Sequence, residues 1–220
     1  MSSIANTAPP SGRFKPGFRS LAGGAGTLAV ICGVLLLAVP TGAVAVLQGL
    51  GIIRLPYNLF VVDESLPGIF KLHMLASGAF LVLIPAVIAA RRSSSWHRPL
   101  GYGAAMCVLL GGLTSLPVAV MSHSGAIARA GFFAQGIVWL ALLTLGFFAA
   151  RHRRFADHAR LMLMMAAVAS GALWVRLTTT LVTGHDLPFD LAYGCAAWLG
   201  WLLPLAAVVF FPTPWAPQRR

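Results

Sequence analysis

Four histidines and one arginine are the residues of this sequence whose types and positions could support chemistry. Each lies within or at the end of a long apolar segment, and they are His73, His97, His123, His158 and Arg176. Ionisable side chains inside a membrane are costly, so their presence favours a functional role. The apolar segments place two histidines near each membrane surface, and the set therefore predicts two pairs of imidazoles.

Paired imidazoles on facing helices predict haem ligation. Neutral histidines in such positions can be axial ligands of b-type haem when a hydrogen-bonding partner orients each ring. His73, His97 and His158 are the principal candidate ligands of haem iron, and His123 completes the second pair. Two stacked haem b groups would make the protein an electron carrier with a quinone or another redox partner, and a single haem or a metal ion is the alternative. If the protein is an enzyme, we expect a membrane oxidoreductase.

Arg176 predicts an anionic partner, because its guanidinium keeps its proton. Asp63, Glu64 or Asp186, a helix carbonyl, a haem propionate or an anionic substrate could each fill this role. Together with His73, Arg176 could instead form an outward-facing polar pocket, which is typical of a small-molecule transporter or binding protein. In a third interpretation the histidines anchor helix ends at the membrane surface, and the protein is an assembly partner without a small ligand.

The composition excludes a disordered chain, a disulfide scaffold and an ordinary water-soluble enzyme. The chain has 220 residues, of which 58% are hydrophobic and 10% are charged, whereas soluble domains carry about 25% charged residues. Six apolar segments reach the roughly 20 residues that a membrane-spanning helix needs. We therefore predict an all-α integral membrane bundle of six transmembrane helices whose core is formed by helices 2–5. The segments are residues 26–50, 67–90, 100–121, 131–150, 161–183 and 191–212.

The charge pattern predicts the orientation of these helices. The chain has 16 Lys and Arg against 5 Asp and Glu, and most basic residues fall in loops on one side, which the positive-inside rule makes cytoplasmic. We expect a bacterial inner-membrane protein with cytoplasmic tails at residues 1–20 and 213–220 and a transmembrane domain at 21–212. In a soluble protein, a net charge of +11 would favour binding to nucleic acid. Here the basic residues lie in loops between apolar segments, so the charge indicates the orientation of the helices in the membrane. We therefore expect contact with lipid and no nucleic-acid partner.

Two pairs of helices carry a similar pattern, in which an Arg-rich loop is followed by a histidine. Arg91 and Arg92 precede His97, and Arg151 precedes His158. The pattern indicates either a duplicated helical hairpin or the ordinary basic character of inner loops.

Helices 3, 4 and 5 contain further candidate features. Gly111 and Gly112 in helix 3 allow either close helix packing or room for a flat cofactor. Gln135 is a polar residue near the outer end of helix 4. His158 and Arg176 lie 18 residues apart in helix 5, which predicts one face and a separation of about 27 Å.

The chain resembles the bacterial integral membrane proteins of domain-of-unknown-function family 2306 over residues of about 67 to 212. This resemblance implies a bundle of several membrane helices and carries no activity. The chain departs from the family pattern at Ala159, Leu161 and Met164, where the family has Arg, Trp and Arg. The matching residues are His73, Gly78, Arg91, Arg92, His97, Arg98, Gly101, Gly131, Phe132, Trp139, His158, Arg160, Met162 and Arg176.

The predicted orientation can be tested by cysteine accessibility. In a background without the three native cysteines, Ser124→Cys should react with a membrane-impermeant maleimide added outside intact cells. Ser94→Cys should react only after the cells are opened, because it lies in a loop predicted to be cytoplasmic. Labelling of Ser94→Cys from outside would show that the orientation is the opposite of the predicted one.

Overall fold

A computed structural model describes residues 33, 36–184 and 188–210, and all regular structure in these ranges is helical. The predicted tails lie outside the described residues. A 3₁₀ turn at Ala90–Arg92 joins α3 to α4. The helices are α1 Leu36–Gly49, α2 Tyr57–Ser65, α3 Ile69–Ala89, α4 Ser94–Met121, α5 Ala126–Arg151, α6 Phe155–Ala169, α7 Gly171–Gly184 and α8 Phe189–Phe210.

The all-α membrane bundle predicted from the sequence is confirmed. Five segments of the described chain are long and apolar enough to cross a bilayer, and they coincide with predicted helices 2 to 6. The described part of helix 1, Leu36–Gly49, is a shorter apolar helix, and most of the predicted segment before it lies outside the described residues. The spanning segments are Ile69–Arg92, Ser94–Met121, Ala126–Arg151, Phe155–Val182 and Phe189–Phe210.

Helices α3 to α6 form two hairpins that pack side by side, with α3 on α4, α4 on α5 and α5 on α6. Both hairpins turn at the same end of the bundle, which we call the arginine end because Arg91, Arg92, Arg151, Arg153 and Arg154 lie in its turns. We call the opposite end the α2 end, because the short helix α2 packs there against α3 and α4.

The spanning segment Phe155–Val182, which corresponds to predicted helix 5, consists of two helices and is not continuous. It breaks at Ser170, between α6 and α7. The buried hydroxyl of Ser170 donates a hydrogen bond to the carbonyl of Ala167 at 2.7 Å, which is a local bond that competes with helix continuation. The arginine-end half of this segment therefore carries His158, and the other half carries Arg176.

The core lies between the helices predicted to form it, and α8 extends it. Buried residues from α3 to α6 pack around Val108 and Val168, neither of which has any exposed surface. Trp201 of α8 joins the same cluster, because α8 packs against α5, α6 and α7.

Glycines bring helices into backbone contact at several points. A Cβ atom placed on Gly78 of α3 would lie 2.7 Å from the Gly42 carbonyl oxygen and 2.9 Å from the Cβ of Ala45. A Cβ on Gly131 of α5 would lie 2.8 Å from the Ala197 carbonyl oxygen of α8. These two glycines therefore allow α1 to pack closely on α3 and α8 to pack closely on α5.

Replacing Gly78 should loosen the contact between α1 and α3. Gly78→Ala places a methyl group against backbone atoms, and overpacking of this kind costs about 1–3 kcal/mol. Gly103→Ala is the matched control, because Gly103 has no neighbour within 4 Å and alanine favours helix by about 1 kcal/mol over glycine. In detergent, Gly78→Ala should lower the midpoint of thermal unfolding and Gly103→Ala should not. Equal unfolding midpoints for Gly78→Ala and the wild type would contradict the close contact between α1 and α3.

Candidate functional site

His97 and His158 meet at the arginine end of the bundle. His97 lies in the first turn of α4 and His158 in the first turn of α6. Their ring centroids are 6.4 Å apart, with an angle of 84° between the ring planes. Both side chains are half-buried. The structure therefore brings together the two histidines that the sequence places at one surface, and we call them the histidine pair.

Each ring of the histidine pair is fixed by a backbone carbonyl. His97 Nδ1 lies 3.3 Å from the Val87 carbonyl oxygen, and His158 Nδ1 lies 2.9 Å from the Gly146 carbonyl oxygen. A carbonyl oxygen can only accept, so each Nδ1 carries the proton. In the neutral ring, Nε2 then keeps its lone pair, and neither Nε2 has a polar partner among the described residues. Metal-ligating histidines often donate their second ring N–H to a backbone carbonyl in this way. The described residues contain no group of three or more His, Cys, Asp or Glu side chains that could hold a metal ion.

The two hairpins produce these bonds in the same way. In each, the histidine that opens the second helix donates to a carbonyl near the end of the first helix. Val87 lies in the last turn of α3, where carbonyls have no partner within the helix. Gly146 has no side chain, so Met162 of α6 packs directly over it and His158 reaches its oxygen. The Arg-rich pattern repeated in the sequence thus corresponds to a repeated contact.

Basic residues outnumber the one acidic residue, Asp157, in the chain segments next to the histidine pair. Arg98 follows His97 in the chain, and the α5–α6 turn that precedes His158 contains Arg153 and Arg154, all three exposed. Arg160 donates to the Val209 carbonyl oxygen at 3.3 Å and so ties α6 to α8. A ligand that carries acidic groups would meet complementary charge here.

His73 lies apart from the histidine pair, between α3 and α4 near the α2 end. Its Nδ1 is 3.0 Å from the Gly111 carbonyl oxygen, and the hydroxyls of Ser77 and Thr114 are each 3.4 Å from the same nitrogen. A Cβ on Gly111 would lie 2.7 Å from the Ser77 hydroxyl oxygen. The small residues at this point in α4 thus serve close packing, which leaves no gap for a flat cofactor beside Gly111.

His123 occupies the exposed turn between α4 and α5. No ring contact joins it to His73 in the described part of the chain. Of the four candidate ligands, the structure therefore brings together one pair, at the arginine end.

Arg176 lies half-buried in α7. Its backbone carbonyl accepts hydrogen bonds from the hydroxyls of Thr179 and Thr180, and its guanidinium contacts no acidic side chain within the described ranges. Among its predicted partners, Asp186 lies outside those ranges, and Asp63 pairs instead with Lys71 at 3.4 Å.

Gln135 supports the break between α6 and α7. Its side-chain nitrogen donates to the Val168 carbonyl oxygen at 2.8 Å, and a Cβ on Gly171 would lie 2.6 Å from that nitrogen. The amide therefore satisfies a carbonyl near the end of α6 and packs against the first residue of α7.

Sequence reasoning did not identify Gln48 or Asp63 as a local polar site. Both are buried at the α2 end, and each has a side-chain oxygen without a hydrogen-bond partner among the described residues. Gln48 was detectable as a polar residue near the end of an apolar segment, whereas nothing in the sequence around Asp63 signals burial.

The helices and their glycine contacts define a multi-pass helical membrane protein. The chain belongs to the family of predicted membrane proteins designated DUF2306, whose model matches residues 70–211. The matched range includes His97 and His158 as well as Val87 and Gly146, whose carbonyls they contact. No curated protein and no solved structure matches the chain.

Removing the amide of Gln135 should destabilise the fold. Gln135→Leu leaves the Val168 carbonyl unpaired within the bundle, and an unsatisfied buried group costs about 1–3 kcal/mol. Thr144→Val is the matched control, because the exposed Thr144 hydroxyl donates only within its own helix, to Leu140. The free energy of unfolding in detergent should fall for the first variant and change little for the second. An unchanged Gln135→Leu protein would show that the bond is not needed.

Proposed function

We propose that the histidine pair binds one transition-metal ion, and that the haem-iron form makes the protein a membrane electron carrier. The observation that carries this proposal is the approach of two rings whose Nδ1 protons are both committed to backbone carbonyls. Ligating histidines typically use their second nitrogen in this way. The proposal reduces the two predicted haems to one, because His73 and His123 do not meet.

The separation of the rings fits two imidazoles that would share one ion. With metal–nitrogen bonds of about 2.0–2.1 Å, two such rings have centroids no more than roughly 6.5 Å apart, and the two centroids here are 6.4 Å apart. His97 and His158 would hold the ion, and haem iron bound there would supply one-electron chemistry.

The surroundings of the histidine pair suit the periphery of a haem. Trp96 and Phe155 are exposed apolar side chains in the same helical turns as His97 and His158, and they could cover an apolar macrocycle. Arg98 and Arg154 could pair with propionate groups, since arginine binds carboxylates in a bidentate way. Arg176 belongs to the other half of the spanning segment Phe155–Val182, 18 residues from His158, and cannot reach the same ligand.

The first test is the metal and haem content of protein purified from haem-supplied cells. We expect one haem per chain, with the reduced-minus-oxidised visible spectrum of a b-type cytochrome. His97→Asn and His158→Asn should abolish the signal, because asparagine keeps a donor at the position of Nδ1 but has no Nε2. His123→Ala and His152→Ala are the controls, since both side chains are exposed, and they should keep it.

The same preparations distinguish haem iron from a free ion. One metal ion per chain without a visible haem spectrum, lost in both asparagine variants, would identify a mononuclear site instead of an electron carrier. Folded wild-type protein with neither metal nor haem, after supply of both, would overturn the proposal.

A transporter or small-molecule binding protein is the second candidate, and the break at Ser170 favours it. Interrupted helices often line substrate cavities in membrane transporters. Arg176 in α7 would then meet an anionic substrate from the α2 end. Loss of anion binding in Arg176→Gln, with the histidine variants unaffected, would favour this function.

A further inference from the structure

Two buried oxygen atoms at the α2 end lack hydrogen-bond donors. Gln48 of α1 is 6% exposed and Asp63 of α2 is 8% exposed. Neither Gln48 Oε1 nor Asp63 Oδ1 accepts a hydrogen bond from any described residue. An unpaired buried acceptor is unfavourable, and an ionised carboxylate is more so. Both atoms would gain from a positively charged partner.

The two residues belong to one corner of the bundle. An apolar cluster there joins Ala45 of α1, Val62 of α2, and Phe70 and Met74 of α3. Gln48 lies about one turn beyond Ala45, and Asp63 directly follows Val62. Gln48 and Asp63 are therefore buried residues of two helices, α1 and α2, that both contribute to this cluster.

Lys71 connects the ends of α1 and α3 but does not fill this corner. A Cβ on Gly49 would lie 3.1 Å from the Lys71 carbonyl oxygen, so the last turn of α1 contacts the first turn of α3. The Lys71 ammonium lies 3.4 Å from Asp63 Oδ2, and its side chain is 51% exposed. This ion pair engages one oxygen of the carboxylate and leaves Oδ1 unpaired.

We propose that Asp63 Oδ1 and Gln48 Oε1 bind a small monovalent cation, for which sodium is the probe. A carboxylate and an amide carbonyl are oxygen ligands, which hard cations prefer. A single carboxylate that already shares its charge with Lys71 suits a monovalent ion better than calcium, which usually takes 6–8 oxygen ligands. The C-terminal end of α1 adds a partial negative charge in this corner.

The cation would fasten α2 to the bundle, because its two ligands come from α2 and α1. This site is separate from the histidine pair, which lies at the arginine end, and either proposal can fail without the other.

Equilibrium binding of radioactive sodium to the purified chain tests the site. The assay compares sodium chloride with choline chloride at constant ionic strength. We expect saturable binding of one ion per chain in the wild type, and at least a tenfold loss of affinity in Asp63→Asn. Glu64→Gln is the matched control, because Glu64 is the next residue on α2 and is exposed, and it should bind as the wild type does.

A second variant keeps the proposal testable if Asp63→Asn does not fold. Gln48→Glu adds a carboxylate to the corner and should raise the affinity for cations and shift the preference toward calcium. Absence of saturable sodium binding in the wild type would overturn the proposal. Binding that survives in folded Asp63→Asn, or proton binding at Asp63 without sodium binding, would overturn it as well.

Discussion

Hydrogen bonds from imidazole Nδ1 atoms to backbone carbonyls of neighbouring helices underlie the arrangement of this bundle. Within a bilayer, polar groups have to find partners inside the protein because lipid tails supply none. His73, His97 and His158 all use this bond, and each joins two helices that are adjacent in the chain. The bond therefore positions a helix and, in the same step, fixes which ring nitrogen is free. The geometry of the histidine pair follows from the way the hairpins are closed.

Glycine makes two of these three bonds accessible. The acceptors for His73 and His158 are the carbonyls of Gly111 and Gly146, and at both positions a neighbouring side chain fills the space that a Cβ would take. Helix pairs in membranes gain from small residues at their interfaces because the backbones can approach. In these hairpins the same glycine therefore serves two purposes. It lets the two helices pack closely, and it brings the imidazole Nδ1–H within hydrogen-bonding distance of the glycine carbonyl.

The sequence predicted much of the fold and part of the site. Apolar segments long enough to span a bilayer identified the spanning helices, and the loop pattern before His97 and His158 indicated that the two rings share one end of the bundle. The acceptor carbonyls were not predictable, because every residue carries one and only a nearby glycine hints at its use. The break at Ser170 was missed because the residues on both sides are apolar and continue the same pattern. The corner around Asp63 was missed because burial by a short helix such as α2 depends on packing between distant segments.

The hairpin contacts also bear on how the chain reaches its folded state. The bond of His97 spans 10 residues of sequence and that of His158 spans 12, so each forms between segments that are synthesised one directly after the other. Contacts of such short sequence separation carry a small loop-closure cost and form early. Each hairpin can therefore close as soon as its own two helices have left the ribosome, without waiting for the rest of the bundle. Biogenesis then becomes the docking of two finished hairpins, and the rings of His97 and His158 face each other only when that docking is complete.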